Sequence, residues 1–585
     1  MPMFKTFYQE ALDFHNKLLT NHKYTINLIA TLRFITFIAC VITFILGFEH
    51  TYLFIVSFIT LILFLILIYI HNIYLYKSAY SNAIINKSLT FIDRLDDTWM
   101  NIEPSQVKFK DNYLCKDLDI TGNKSLFLYL NQCHSKAGLS KLHHALSIGL
   151  KDVESIKQRN QAVNELALNK DLYLDLSALT SMYDSRSNLD YLISDNYLDT
   201  NKLTLYKVLR VFMPTIFFGS IILGLFQPIA FSVTIISFIL NILISLVNIS
   251  FNRTFVSDLI VKDDNIKVLN DVIASFENQS FHSTLLQSYQ QRINQKQNAT
   301  VTLKSLKRLK EIAESSKNGG VYILLLGMIG FDYQLVVAYD KWQKNQGQIL
   351  KEIIDVYSDI ELLLSLGVIT QTKENSISPN ITDKNIPYLH TKDIHHPLIN
   401  HDRSIGNNIN VDKGILVITG SNMSGKTTFI RTLGINLVLA YAGANVLAKS
   451  FEASIMKLLT SIRIEDDYAL GISTFYAEIN RIKEMVDYSK SNQPMIAFID
   501  EIFMGTNSAD RIYGATKALE NLASYNSAIV VTTHDFELTK LDHVKNMHFK
   551  EYYENKHIKF DYKILPGPST TRNARYLLEM AGIDS

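Results

Sequence analysis

The sequence predicts an α/β domain built around a phosphate-binding loop, joined to a mostly α-helical region that carries two transmembrane helical hairpins. Three observations predict it. Ile418 to Thr428 reads ITGSNMSGKTT and fits G-x-x-x-x-G-K-[ST] directly after a short apolar run. The stretches 34–76 and 211–252 carry no Lys, Arg, Asp or Glu apart from Glu49. Elsewhere before the loop, apolar residues recur mainly at helical spacing.

A chain of 585 residues exceeds one ordinary core, so several units are expected. The divisions read from the sequence are an N-terminal segment 1–25, a first hairpin 26–76, a helical part 77–210 and a second hairpin 211–252. Polar helices 253–318, a helical return 319–385 and the α/β domain 386–585 follow. Lys plus Arg (57) nearly balance Asp plus Glu (56), so bulk charge argues for no polyanionic partner. Cys40, Cys115 and Cys133 are far apart and suggest neither a disulfide framework nor a zinc site, which fits a reducing compartment.

A helix needs about 20 residues to cross a hydrocarbon core of about 30 Å. Thr51 to Tyr76 is long enough outright. Phe34 to Phe48 is short unless it borrows from Ile26 to Leu32, with Arg33 snorkelling to the interface. A turn at Gly47 to His50 makes the two a hairpin. The second pair lies within Val211 to Asn252, bounded by Arg210 and Arg253, with GLFQPIA at 224–230 as its turn. Two hairpins return the chain to its starting side, and Lys77, Lys87, Lys202, Lys207, Arg210 and Arg253 fit a positive-inside arrangement. The expectation is a multi-pass protein of the cell membrane, with four spans and the phosphate-loop domain in the cytoplasm. A third apolar run, Val321 to Phe331, is too short to span and is read as a buried core helix.

Residues 85–200 read as helical, with Leu126, Leu128 and Leu130 and then Leu139, Leu142 and Leu146 as core candidates. Residues 254–318 read as long solvated helices. Lys304, Lys307, Arg308, Lys310 and Lys317 lie there at helical spacing, first as a solvated face and second as a phosphate-backbone contact.

The chemistry concentrates after residue 414. Gly414 to Thr419 reads as a strand, and the loop Gly420, Ser421, Asn422, Met423, Ser424, Gly425 leads through Lys426 and Thr427 into a helix from Thr428 to Tyr441. Backbone N–H groups and the helix N-terminus can together hold phosphates there. Lys426 is expected to neutralise the β and γ phosphates of ATP, and Thr427 to offer its hydroxyl to Mg2+. A second strand, Met495 to Ile499, ends in Asp500 and Glu501, read as the metal-side carboxylate and the group that polarises the attacking water. A third, Ala528 to Val531, leads through Thr532 and Thr533 to His534, read as a γ-phosphate sensor. Between them, Phe475, Ile479, Ile482 and Met485 form one apolar helical face, with Ser473 and Thr474 at the helix start as an anion site toward a partner subunit.

These elements together resemble the MutS family of DNA mismatch-repair ATPases, which shares its composite ATP site with the ABC superfamily. The matching stretches are TGSNMSGKTTFIRTLG, GISTFYAEINRIKEM, FIDEIFMGTNSADRI and TTHDFELTKL. The tail YKILPGPSTTRNARYLLEMAGI resembles the family's closing, dimer-forming segment. Residues 116–176 and 331–366 are similar to the two halves of its helical core, with the polar helices between them in the place of its lever. The resemblance implies an α/β P-loop ATPase domain of MutS type and a homodimer with shared sites. It makes Lys426, Thr427, Asp500, Glu501 and His534 act in cis, while Ser473, Asn507 and Asp510 approach the other subunit's nucleotide. DNA is the implied partner.

The departures are specific. Two apolar spans occupy the region where the family's mismatch readers carry extra domains. The Phe-x-Glu sequence, Phe549-Lys550-Glu551, lies beyond the ATPase strands, so direct mismatch reading is not expected. Ser421 and Ser424 stand where repair enzymes have Pro and Gly, and Ile405 falls where an aromatic packs on adenine. The leading reading is a membrane-anchored MutS-like ATPase acting on mismatched or branched DNA. The alternatives are an ATP-driven membrane transport or remodelling device and a membrane scaffold switched by ATP.

Overall fold

The computed structural model describes residues 3–569, apart from 103–108, 110–111, 185–199, 228, 248–262, 295–298, 315, 317–318, 401, 422, 464–473, 504–506 and 555–556. Helices α1 (Met3–Leu46) and α2 (Leu53–Leu95) form the first hairpin, and neither contains Gly or Pro to interrupt it. At 1.5 Å per residue each arm is roughly 65 Å long, about twice a hydrocarbon core. The hairpin is therefore longer than the expected 26–76, and its two ends differ. The tip is apolar and exposed, with Phe48, Ile55 and Phe58 at 75%, 66% and 64%. The base is sunk in the helical body, where Tyr8 donates to Gln371 Oε1 at 2.6 Å and Arg94 Nε to the Tyr129 carbonyl at 2.7 Å. The Arg33 guanidinium lies 3.1 Å from His71 Nδ1 across the hairpin.

The body is built from α3 (Tyr113–Asp117), α4 (Leu126–Leu130), α5 (Lys136–Ser147), α6 (Val153–Leu168) and α7 (Lys170–Ser181). Ser125, Ser135, Asp152 and Asn169 cap the last four of these through side-chain oxygens. Leu126, Leu128, Leu130, Leu139, Leu142 and Leu146 are all buried, as their spacing suggested. The second hairpin is α8 (Thr200–Gly224) with α9 (Ala230–Val247), joined across the pair by Ser220 and Thr234 hydroxyls 2.9 Å apart.

Helices α10 (Asp263–Glu277), α11 (Thr284–Asn294) and α12 (Ala299–Glu314) correct the expectation of long solvated helices. They are short, and Ile266, Leu269, Ile273, Phe276, Leu286, Leu303 and Leu306 line one buried stripe of the main core. The basic cluster divides accordingly: Lys304, Lys307 and Arg308 are exposed while Lys310 is 1% exposed, and Lys317 lies outside the described residues.

Helix α13 (Gly319–Ile329) meets α14 (Phe331–Thr372) at an 80° bend on Gly330. The expected buried helix is a second correction: α13 buries Tyr322 and Leu326 but leaves Val321, Ile323 and Leu324 at 41%, 53% and 55%. Helix α14, 42 residues long, is the spine of the body and is almost wholly buried from Val356 onward.

The α/β part opens with β1 (Ser376–Ile377), β2 (Asn380–Thr382), β3 (Leu389–Ile394) and β4 (Asn407–Val411). Then come β5 (Gly414–Thr419), α15 (Lys426–Ala442), β6 (Val446–Leu447), β7 (Ser450–Ser454), β8 (Lys457–Ser461) and α16 (Thr474–Ser489). Last are β9 (Met495–Asp500), α17 (Ser508–Ala523), β10 (Ser527–Thr533), β11 (Val544–Glu554) and β12 (His557–Pro566). The main sheet runs β12-β11-β5-β10-β9-β8, parallel except for β12. Strands β5, β9 and β10 are buried on both faces, which is why they read as unbroken apolar runs. Among the described residues, three helices are long and apolar enough to cross a membrane: α1, α2 and α8. The bent pair of α13 with α14 passes the same test when the two are taken together, and α9 is a shorter apolar helix.

Candidate active site

Register brings the predicted residues together. Thr533 lies opposite Thr419 on β5, and Thr532 lies opposite Asp500 on β9. Three adjacent parallel strands therefore end level, and the next residues, Gly420, His534 and Glu501, emerge at one edge, the edge where α/β sheets bind ligands. The loop turns on Gly420 (φ +149°) and Gly425 (φ +96°). A Cβ on Gly420 would lie 2.8 Å from Ser424 Oγ and 3.0 Å from the Phe549 carbonyl, so only glycine fits.

Lys426 is 3% exposed, and its Nζ donates to the Gly420 and Ser421 carbonyls at 2.8 and 2.9 Å. Burial pulls its ammonium pKa down, with Glu501, Asp500 and Glu551 opposing the shift. The same Nζ is 3.0 Å from His534 Nε2, which is also 3.0 Å from Glu501 Oε1. One imidazole nitrogen cannot accept from a lysine and donate to a carboxylate at once, so the two contacts are alternatives. The hydrogen bond from His534 holds the Glu501 carboxyl below the ordinary glutamate value. Thr427 Oγ1 donates to Asp500 Oδ2 at 2.6 Å, and the Thr532 hydroxyl donates to Oδ1. These are hard oxygen donors side by side, the set a Mg2+ ion takes.

Several contacts had no sequence signal. Glu501 and Phe503 both sit at positive φ (53° and 62°), and the buried Glu478 of α16 accepts from the Phe503 amide, holding this strained turn. Ser421 Oγ donates to the buried Glu551 at 2.9 Å, across from β11. Asp117, fully buried, accepts from the amides of Ile462 and Arg463 at 3.1 and 3.2 Å and from Arg481 of α16 at 3.1 Å. Asp119 takes Arg431 of α15 at 3.0 Å and Arg463 at 2.6 Å. One corner of the helical body thus grips both α15, which follows the loop, and α16.

The remaining predicted residues are less engaged. Met423 is 77% exposed, Thr428 is exposed, and Ser424 is buried with its hydroxyl on the Ser421 carbonyl at 2.7 Å. Asn507 caps α17, accepting from the Asp510 amide at 2.9 Å, and both residues face solvent. Asn422 and Ser473 lie outside the described residues, as does the end of the tail from 570. Ile405 lines a cleft of about 1050 Å³ between the helical body and the α/β domain, together with Arg94, Lys373, His395, Lys449 and Lys563.

Residues 416–584 match the family model for MutS domain V. That part of the chain carries a MutS domain V. It is 25% identical over 307 residues to the DNA mismatch repair protein MutS of Thermus aquaticus, a match covering 52% of this chain and 37% of that protein. The MutS of Lactobacillus johnsonii is 28% identical over 267 residues, covering 43% of this chain and 31% of its own length. The MutS of Thermus thermophilus is 24% identical over 309 residues, with 52% and 37% covered. The chain therefore matches about a third of the length of those relatives. Domain V is an ATPase-domain fold, and the sheet and loop above are its framework here.

Proposed function

We propose that this chain is a membrane-anchored ATPase that hydrolyses ATP at sites shared by two copies and acts on mismatched or branched DNA, in a repair or recombination-related role. The convergence of Lys426, Thr427, Asp500, Glu501 and His534 at the ends of three adjacent strands carries the reading. Residues 420–428 wrap the phosphates of ATP. Thr427 and Asp500 hold Mg2+, which when bound neutralises phosphate charge. Glu501, kept ionised by its hydrogen bond from His534, accepts a proton from the attacking water. When nucleotide enters, Lys426 leaves His534 for the phosphates, and His534 keeps its hydrogen bond to Glu501 beside the γ phosphate. Ser473, Asn507 and Asp510 of one copy reach the nucleotide of the other.

The membrane part of the reading is supported by the exposed apolar tip of α1 and α2 and by the apolar hairpin α8 and α9, four spans in all, with the ATPase domain in the cytoplasm. The DNA part is supported by the relatives, which are DNA mismatch repair proteins. The exposed Lys304, Lys307 and Arg308 add little, because Lys307 lies 3.8 Å from Glu311 and Lys310 is buried. The apolar tips favour a second reading, in which ATP drives work on the bilayer or switches a membrane scaffold and no DNA is bound. The test uses the full chain in nanodiscs with homoduplex, mismatched and four-way-junction DNA over a salt series. Salt-sensitive binding that prefers the mismatched or branched forms supports the first reading. ATP turnover with no such binding leaves the second.

A further inference from the structure

Helix α13 is placed unlike any other helix of the body. It carries no charged side chain, yet Val321, Ile323 and Leu324 stand uncovered among the described residues. At 11 residues it is about 16 Å long, half the depth of a bilayer's hydrocarbon core. Its last turn is fitted to the second hairpin. A Cβ on Gly327 would run into the Phe238 ring of α9, so the helices touch backbone to ring. Asn241 of α9, 5% exposed, donates its amide to the Gly327 carbonyl at 2.8 Å.

The bend that follows is also satisfied from within. Gly330 adopts φ +59°, and the Ile329 carbonyl accepts from Gln334 Nε2 at 3.2 Å. Gln334 in turn bonds the carbonyl and guanidinium of Arg210 on α8, at 2.7 and 2.9 Å. Tyr322 donates to Asp332 Oδ2 at 2.9 Å, and Tyr333 to the Ile244 carbonyl at 3.0 Å. Irregular backbone survives beside lipid only where protein groups supply the hydrogen bonds that water cannot reach to make.

We propose that α13 is a third membrane element of the second hairpin, a half-helix whose Val321, Ile323 and Leu324 face lies in the acyl chains of one leaflet. The inference rests on the reading of α8 and α9 as membrane-embedded. Lipid is the occupant because the exposed face of α13 continues the apolar surface of that hairpin, where Ile239 and Leu243 are 52% and 53% exposed. Helix α14 then has one end at the bilayer. Its other end leads into β1, which pairs with β6 directly after the phosphate-loop helix α15.

The experiment places single nitroxide labels in the full chain, in nanodiscs, on a Cys40→Ser background; the other two cysteines are buried. Labels go to Leu324→Cys, to Ile239→Cys on the hairpin and to Lys304→Cys on polar α12. Collision rates with oxygen and with a water-soluble nickel chelate are then compared. The expected result is that Leu324 matches Ile239, favouring oxygen, while Lys304 favours nickel. If Ile239 favours oxygen and Leu324 behaves like Lys304, α13 lies in water and the proposal is overturned with the anchor intact. Nickel access at Ile239 overturns the membrane reading itself. Spin–spin broadening between copies at Leu324 overturns lipid as the occupant and assigns the face to a second chain.

Discussion

Glu501 is held by its neighbours more than by its own strand. The His534 hydrogen bond is the largest influence lowering its pKa, so the carboxylate stays charged as pH falls below the ordinary value of 4.5. A depressed carboxylate is functional above its folded pKa and is lost as pH drops through it. The acid limb of single-turnover hydrolysis should therefore lie below the ordinary glutamate range, and in His534→Ala it should move upward. An unmoved limb in that variant would exclude the pairing as the cause. Glu478→Ala should free the turn that aims Glu501, lowering kcat on the order of 10-fold while leaving ATP affinity unchanged, as rapid-quench and binding measurements would show. Lys426, Thr427, Asp500, Glu501 and His534, which the fold brings side by side, each stand at or just beyond the end of an apolar strand, and a strand's end announces what comes next. Glu478, Glu551 and Asp117 gave no such sign, because each acts on a distant segment and only the fold sets those pairs side by side.

At the scale of elements, the contact of Asp117 and Asp119 with α15 and α16 joins the ATP-binding edge to the helical body. Asp117 is fully buried and Arg481 is 9% exposed, so Asp117→Ala leaves a buried guanidinium without its partner. That should cost about 3–5 kcal/mol, read as a lowered urea midpoint of the detergent-solubilised chain. Gly330→Ala forces a Cβ into the left-handed region and against Met213 Sδ, and should cost about 1 kcal/mol or more in the same assay. The elements misread from sequence share a cause. Helices α10 to α12 mix polar residues closely with the buried ones, so that the core stripe is interrupted at every turn. Helix α13 is apolar throughout, and an 11-residue apolar run has the same composition whether protein or lipid covers it. The α/β strands were legible because burial on both faces leaves no polar positions to blur them.

The whole molecule is an ATPase-type domain resting on a helical body from which apolar hairpins project. The first hairpin is anchored at its base by Tyr8, Lys87 and Arg94 inside the same core that receives α14. A bilayer holding the tip would thus hold the body in fixed relation to the ATP site. The chain should remain with membranes through high-salt and alkaline carbonate washes, and release by either would remove the anchor from the account. In the proposed function, what ties these parts together is hydrolysis centred on Glu501. The most direct measurement is ATP turnover, ATP binding and copy number of the full chain in nanodiscs, for wild type and Glu501→Gln. The account predicts that turnover falls by at least ~100-fold in the variant while ATP still binds and holds two copies together. Undiminished turnover in Glu501→Gln would contradict it.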